Sequence, residues 1–197
     1  MTTSADSLDT TAINRRMTGF DDHTSVWLFG YGSLIYKTDF PYIERCPASI
    51  RGWERRFWQG SHDHRGTPQA PGRVVTLIPA ADAVCIGMAY LVAPETFGPL
   101  DVREKNGYLR LATEFTLDDG RHTEGLVYIA TAENAAFLGP ASEREIARHI
   151  AGSHGPSGPN RDYLTRLADA LRTLRADDPH VFEIERELFD LDADVGD

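Results

Sequence analysis

The sequence predicts an α+β domain in which a closed or strongly curved β-sheet packs against C-terminal helices. The first two-thirds of the chain is mainly strand-like and the last third is helical, which is the order expected for this fold class. A length of 197 residues suggests one domain, and 41% hydrophobic residues allow a substantial core. We expect a flexible N-terminal arm over residues 1–25, a folded domain over 26–190 and an acidic tail over 191–197.

Six segments are rich in β-branched or aromatic residues and are separated by Gly, Pro and Asp, as strands are. We expect strands at 26–30, 50–59, 73–79, 84–92, 108–117 and 125–130. A short helix is expected over 94–102.

The last third carries the signs of three helices. Ser142 and Glu145 form a capping box ahead of the first helix. Asn160 is the predicted cap of a second helix, whose leucines recur at helical spacing. Asp178 and Pro179 predict the start of the third helix.

Charge and composition exclude several classes of function. A net charge of −10 argues against nucleic-acid binding. No apolar run approaches the ~18 residues of a membrane span, and the polar N-terminus lacks an apolar signal-peptide stretch. We therefore expect a cytoplasmic protein with no nucleic-acid or membrane partner. Residues 45–73 are locally basic, which fits either attraction of a small anionic substrate or an ordinary solvated strand face.

The first strand ends in the turn Gly-Tyr-Gly-Ser-Leu at residues 30–34. Turns of this kind can hold an anion with backbone N–H groups. The dinucleotide motif Gly-x-Gly-x-x-Gly is incomplete, because Ile35 stands where the third glycine belongs. The pattern Gly-x-Ser-x-Gly of a nucleophile elbow is also not met. A dinucleotide site and a serine nucleophile are therefore not supported.

His62 and His64 form a His-x-His pair, which can begin a metal site on a strand. No carboxylate follows closely, and Gly66 and Pro68 make the segment a loop. We expect no metal here and interpret the pair as part of a hydrogen-bonded loop.

Glu104 lies between Arg103 and Lys105. Three such charges fit a surface cluster. If the backbone is extended here, the two cations point away from Glu104, which then faces a barrel interior by itself. A buried carboxylate has a raised pKa, which suits general acid–base catalysis near neutral pH. Both interpretations stay open on these residues.

Four stretches together resemble the ChaC family of glutathione-specific γ-glutamylcyclotransferases. They are Phe-Gly-Tyr-Gly-Ser-Leu at 29–34, Phe-Trp-Gln-Gly-Ser-His-Asp-His-Arg-Gly at 57–66 with Pro-Gly-Arg at 71–73, Leu-Asp-Val-Arg-Glu-Lys-Asn-Gly-Tyr at 100–108, and Gly-Pro-Ser-Gly-Pro-Asn at 155–160. The resemblance runs from about Val26 to Phe189. His62 and Asn106 depart from the residues frequent in the family, and neither departure removes a group that the chemistry requires.

The resemblance implies a mixed β-barrel flanked by α-helices, the γ-glutamylcyclotransferase-like fold. It implies cleavage of glutathione to 5-oxoproline and cysteinylglycine without a cofactor. We expect the protein to be a monomer or weak dimer. A cyclotransferase for another γ-glutamyl compound is one alternative. A non-catalytic regulatory module is the other, and the presence of Glu104 argues against it.

The resemblance also implies roles for particular residues. Glu104 is the expected general acid and base. The turn is expected to hold the γ-glutamyl group through Tyr31, Gly32, Ser33 and Leu34. Tyr108 is expected to contact the substrate or to orient Glu104, although a buried barrel aromatic needs no such role. Arg65 and Arg73 are candidates for the glycine carboxylate of glutathione, and structural ion pairs explain them equally well.

Overall fold

The computed structural model describes residues 8–17, 20 and 22–195. The chain divides into two compact units. The barrel unit comprises residues 1–54 and 77–135, and the helical unit comprises residues 55–76 and 136–197. Strands dominate the first unit and helices the second, which confirms the α+β class.

Five strands close into a barrel in the order β1-β3-β2-β4-β5. The strands are β1 (Val26–Gly30), β2 (Glu44–Ser61), β3 (Gly72–Val92), β4 (Tyr108–Leu117) and β5 (His122–Ala130). Strand β1 runs parallel to β5 and antiparallel to β3, whereas β4 and β5 pair antiparallel along their length. The barrel is therefore mixed, as the resemblance implied.

The wall of the barrel unit is built from large apolar side chains. Leu28 and Tyr90 are cross-strand partners on β1 and β3, and both are completely buried. Phe29 packs against Phe115 with ring centroids 5.8 Å apart. Burial stabilises each such side chain by about 1.5–3 kcal/mol, so the strand that leads into the 30–34 turn is firmly anchored.

The described residues of the barrel unit include the helices α1 (Thr11–Asn14) and α2 (Phe97–Arg103). A 3-10 turn over Pro94–Thr96 leads directly into α2, and together they confirm the short helix expected over 94–102.

Strand prediction succeeded at β1 and β4, whose bounds are the expected ones. The separate strands expected at 73–79 and 84–92 are wrong, because β3 is continuous from Gly72 to Val92. Ala81 and Asp82 are exposed there. An exposed stretch of strand accepts Asp without loss of burial, so Asp82 does not end the strand.

The helical unit contains α3 (Glu143–Ala151), α4 (Asn160–Thr173) and α5 (Pro179–Val195). The apolar face of each helix is completely buried, at Ile146, Ile150, Leu164, Leu167, Leu171, Val181, Ile184 and Leu188. The capping box at the start of α3 is confirmed, because Ser142 Oγ accepts from the Glu145 amide and Glu145 Oε2 accepts from the Ser142 amide.

Asn160 begins α4 but does not cap it, contrary to the prediction. Its side chain is completely buried. The Asn160 Oδ1 accepts from the Arg73 amide at 2.7 Å, and Nδ2 donates to the Arg73 carbonyl at 2.8 Å. The Asn160 side-chain amide thus pairs with the Arg73 backbone as the main chain of a neighbouring strand would.

The arm and tail are more structured than expected within the part of the chain that is described. Thr10 and Asn14 are buried around α1, so this part of residues 1–25 makes buried contacts. Their polar side chains form hydrogen bonds with backbone groups. The polar composition of the N-terminal sequence does not indicate such bonds. Helix α5 continues to Val195, through most of the expected tail. No helix among the described residues is long and apolar enough to cross a membrane.

Candidate active site

The turn after β1 brings the chain back on itself at a glycine. A Cβ on Gly30 would lie 2.6 Å from the Cβ of Leu34, closer than two carbons can approach, so only glycine fits. A 3-10 helix over Ser33–Ile35 follows. The Ile35 amide donates to the Gly32 carbonyl at 3.0 Å, and just beyond the 3-10 helix the Lys37 amide donates to the Ser33 carbonyl at 2.8 Å.

The amides at the start of this turn have no acceptor in the described part of the chain. Those of Gly32, Ser33 and Leu34 donate no hydrogen bond to any residue that the structure describes. The first N–H groups of a helical turn lack intrahelical acceptors. Consecutive amides of this kind form a concave donor site for an anion.

Tyr31 and Leu34 anchor the turn to the barrel wall. The Tyr31 hydroxyl is buried and donates to the Tyr128 carbonyl at 2.7 Å. The Leu34 side chain is also buried, and its carbonyl accepts from the Tyr90 hydroxyl at 2.5 Å. Both side chains are therefore occupied in holding the turn to the barrel wall.

Glu104 caps the C-terminal end of α2. Its amide donates to the Leu100 carbonyl at 2.8 Å. The backbone at Glu104 has φ −95° and ψ 12°, which is not extended. The extended backbone that would turn Arg103 away from Glu104 is therefore not found, because α2 runs through to Arg103.

Arg103 ties Glu104 to the 30–34 turn. Its Nε lies 3.2 Å from Glu104 Oε1, and its Nη2 donates to Ser33 Oγ at 2.9 Å. The third arm, Nη1, reaches the half-exposed Asp39 at 2.5 Å. The Arg103 and Glu104 side chains are 18% and 17% exposed, so this ion pair is largely removed from solvent. The Ser33 hydroxyl accepts a hydrogen bond from the Arg103 guanidinium, as expected of a hydrogen-bonding residue.

Sequence reasoning treated Arg103 only as a charge beside Glu104 and missed this role. The contact with Ser33 spans seventy residues of sequence, and no local pattern signals it. The neighbouring positions of Arg103 and Glu104 were the only available hint.

A buried polar cluster lies beside Glu104. The Tyr128 hydroxyl donates to Asp101 Oδ1 at 2.8 Å, and Arg110 Nε lies 3.1 Å from the same oxygen. Burial raises the pKa of Asp101, against the opposing effects of the Tyr128 hydrogen bond and of Arg110. Burial also raises the pKa of Tyr128, and the charges of Asp101 and Glu104 add to that rise. Tyr128 therefore stays a neutral hydrogen-bond donor at physiological pH.

Tyr108 begins β4, four residues after Glu104, and is half-buried. Its carbonyl accepts from Thr10 Oγ1 at 2.7 Å and from Asn14 Nδ2 at 3.0 Å. Residues of the N-terminal segment thus fix the backbone of Tyr108, which lies four residues after Glu104 in the sequence. A role of its side chain toward a substrate stays a prediction.

Arg65 and Arg73 belong to the helical unit, where both are buried. Arg73 Nη1 donates to the carbonyls of Phe57 and Gly139, at 2.9 and 3.1 Å. Burial lowers the pKa of Arg73. Arg65 Nη1 donates to the Pro159 carbonyl at 3.1 Å. Both side chains bond to backbone carbonyls of their own unit, and pairing with a substrate carboxylate stays a prediction for each.

The histidine pair expected to belong to a hydrogen-bonded loop lies in the helical unit. His64 Nδ1 is 3.2 Å from Ser157 Oγ. No group of three or more His, Cys, Asp or Glu side chains is arranged to hold a metal ion in the described part of the chain.

Comparisons with known proteins agree on one family. The family model described as ChaC-like protein matches residues 26–190. The glutathione-specific gamma-glutamylcyclotransferase 1 of Danio rerio is 45% identical over 84% of the chain and 89% of the relative. The gamma-glutamylcyclotransferase 2-3 of Arabidopsis thaliana is 44% identical over 83% of the chain and 88% of the relative.

A solved structure matches as well. The crystal structure of a γ-glutamylcyclotransferase specific to glutathione from yeast superposes with a TM-score of 0.80. The two chains are 35% identical, and the match covers 85% of this chain and 97% of the yeast chain.

Proposed function

The chain belongs to the ChaC-like protein family, and from this premise we propose that it is a γ-glutamylcyclotransferase that degrades glutathione. The products are 5-oxoproline and cysteinylglycine. The names of the relatives from Danio rerio and yeast support glutathione as the substrate.

One observation carries the proposal beyond family membership. Arg103 links a carboxylate, Glu104, to a turn in which the amides of Gly32, Ser33 and Leu34 have no acceptor among the described residues. The reaction needs a group that carries a proton and a site that binds an anion, and Arg103 holds the two together.

The reaction supplies its own nucleophile. The α-amine of the γ-glutamyl group attacks its own side-chain carbonyl, a five-membered lactam closes, and the amine of cysteinylglycine leaves. Because the nucleophile is tethered to the electrophile, the enzyme mainly folds the substrate and moves protons.

Glu104 moves the proton in this proposal. The substrate amine is an ammonium ion at neutral pH and does not attack in that form. The Glu104 carboxylate accepts a proton from it and later donates that proton to the leaving nitrogen. Arg103 holds the carboxylate in place through the ion pair at 3.2 Å.

The amides of the 30–34 turn bind negative charge in this proposal. The γ-glutamyl group carries an α-carboxylate, and an oxyanion develops at the attacked carbonyl. Backbone donors in a preorganised turn suit either charge. Tyr31, Gly32 and Leu34 contribute through the backbone, and Ser33 contributes a hydroxyl that Arg103 orients.

Three further roles complete the proposal. Tyr108 contacts the substrate or orients Glu104, and Arg65 and Arg73 are candidates for the glycine carboxylate of glutathione.

The reaction requires no cofactor because no redox or Lewis-acid step occurs in it. The protein acts in the cytoplasm as a monomer or weak dimer.

Glu104→Gln tests the assignment of the acid and base. The variant keeps the size of the side chain and one acceptor oxygen but cannot take a proton, so we expect turnover to fall by roughly 10²–10⁴-fold with KM nearly unchanged. Release of 5-oxoproline from glutathione measures it. Glu114→Gln, at an exposed glutamate on β4, is the matched control. Turnover near that of the wild type in Glu104→Gln would overturn the assignment.

Parallel assays with glutathione and γ-glutamyl-alanine test the substrate. We expect 5-oxoproline mainly from glutathione. Release only from γ-glutamyl-alanine would replace glutathione with another γ-glutamyl compound, and release from neither would favour a non-catalytic regulatory module.

A further inference from the structure

Residues 8–14 lie outside the stretch that matches the family, residues 26–190. They nevertheless bond to the segment that follows Glu104. An isolated antiparallel bridge joins Asp9 to Asn106, two residues beyond the glutamate. We call residues 8–14 the N-terminal clasp.

The backbone of the clasp pairs with the loop after Glu104 in the manner of a short strand. The Thr10 amide donates to the Lys105 carbonyl at 2.9 Å. In return, the Gly107 amide donates to the Leu8 carbonyl at 2.9 Å. These two bonds run in opposite directions and fix the loop on both sides of its midpoint.

Two buried side chains of the clasp extend the pairing. Thr10 Oγ1 donates to the Tyr108 carbonyl at 2.7 Å, and Asn14 Nδ2 donates to the same carbonyl at 3.0 Å. Asn14 Oδ1 accepts from the Arg110 amide at 2.9 Å. Thr10 is 8% exposed and Asn14 is 2% exposed. Buried hydrogen bonds between polar side chains and backbone are costly to leave unmade, so the contact is specific.

The loop is thus held at two ends. On one side the Glu104 amide completes the last turn of α2 through the Leu100 carbonyl. On the other side, the chain turns at Gly107 with φ +87°, a left-handed conformation that glycine adopts readily. The clasp contacts the chain just before, at and just after this glycine.

We propose that the N-terminal clasp is a positioning element for Glu104, acting through the backbone of residues 105–110. This inference rests on the proposed function, in which Glu104 carries the proton. Proton transfer needs the carboxylate within hydrogen-bond reach of the substrate amine, and a displacement of about 1 Å costs up to 10²-fold in rate. The clasp acts on turnover and leaves substrate binding by the 30–34 turn intact.

Thr10→Val tests the clasp with the least disturbance, because it removes the hydroxyl and keeps the shape and the amide. We expect kcat for 5-oxoproline release from glutathione to fall roughly tenfold, with KM within about twofold of the wild type. Thr10→Ser restores the hydroxyl and is expected to restore kcat. Asn14→Leu removes the second side-chain contact and is expected to have a similar effect.

Ile13→Ala is the matched control, because Ile13 lies on the same short helix with its side chain 58% exposed. In a Glu104→Gln background, Thr10→Val is expected to lower the residual rate no further. Amide hydrogen exchange at Gly107 supplies an independent readout, and we expect it to become faster in Thr10→Val and to stay unchanged in Ile13→Ala.

Wild-type kcat and unchanged exchange at Gly107 in Thr10→Val would overturn the clasp. A loss that Thr10→Ser does not restore, or one that appears in KM, would do the same. If the wild-type protein releases no 5-oxoproline from glutathione, the proposed function fails. The exchange rate of the Gly107 amide then still decides whether the clasp holds the loop.

Discussion

Arg103→Met removes the link between Glu104 and the 30–34 turn while keeping most of the length of the side chain. The substitution abolishes the Nε contact with Glu104 at 3.2 Å and the Nη2 bond to Ser33 Oγ at 2.9 Å. Both atoms that lose a partner lie in the candidate site, so the effect is expected in turnover.

The magnitude follows from the distance and the burial. Two unit charges 3.2 Å apart attract by about 5 kcal/mol at an effective dielectric constant of about 20. Desolvation and side-chain entropy offset much of this, and hydrogen bonds to charged groups contribute about 1.5–3 kcal/mol net. At about 1.4 kcal/mol per tenfold, we expect kcat/KM to fall by roughly 10- to 150-fold.

The assay is 5-oxoproline release from glutathione across a range of substrate concentrations. Arg103→Lys keeps the charge but lacks the planar fork, so partial activity is expected. Asp39→Asn is the matched control within the same network. Asp39 is 51% exposed, and an exposed ion pair contributes about 0–1 kcal/mol. A kcat/KM of Arg103→Met within threefold of the wild type would refute the linking role of this residue.

Two further predictions concern the stability of the helical unit. Asn160→Leu leaves the buried amide and carbonyl of Arg73 without their partners, so we expect a loss of about 2–6 kcal/mol in urea denaturation, and a loss below about 1 kcal/mol would show that the backbone finds other acceptors. His180 accepts the Phe57 amide at Nε2, and burial lowers the pKa of His180 below 6.5. Its neutral form therefore stabilises the fold above pH 6.5, and that stability is lost as pH falls toward the lowered pKa. The fall in Tm from pH 7.5 to 5 should be steeper than in His180→Gln, and parallel curves would contradict this reasoning.

Local patterns predicted much of the fold. The capping box at Ser142 and the bounds of β1 and β4 follow from rules that act over a few residues. Where a role depends on distant partners, the same rules failed. Asn160 has the right residue type for a cap, but its side chain is used by Arg73, eighty-seven residues away.

The candidate site divides in the same way. The 30–34 turn and Glu104 were identified from the sequence because both lie in stretches that resemble the family. The roles of Arg103 and Thr10 were not, since an arginine beside a glutamate and a threonine in a polar N-terminal segment are common on protein surfaces.

By itself, the sequence determined the fold class, the family and the two segments that carry the proposed chemistry. These depend on residue type and on spacing along the chain, and both can be read from the linear sequence. Only the tertiary structure decided that Arg103 joins Ser33 to Glu104 and that residues 8–14 bond to the loop after Glu104. Such contacts arise when barrel closure brings distant backbone groups together, because each buried donor and acceptor then needs a partner wherever the chain supplies one.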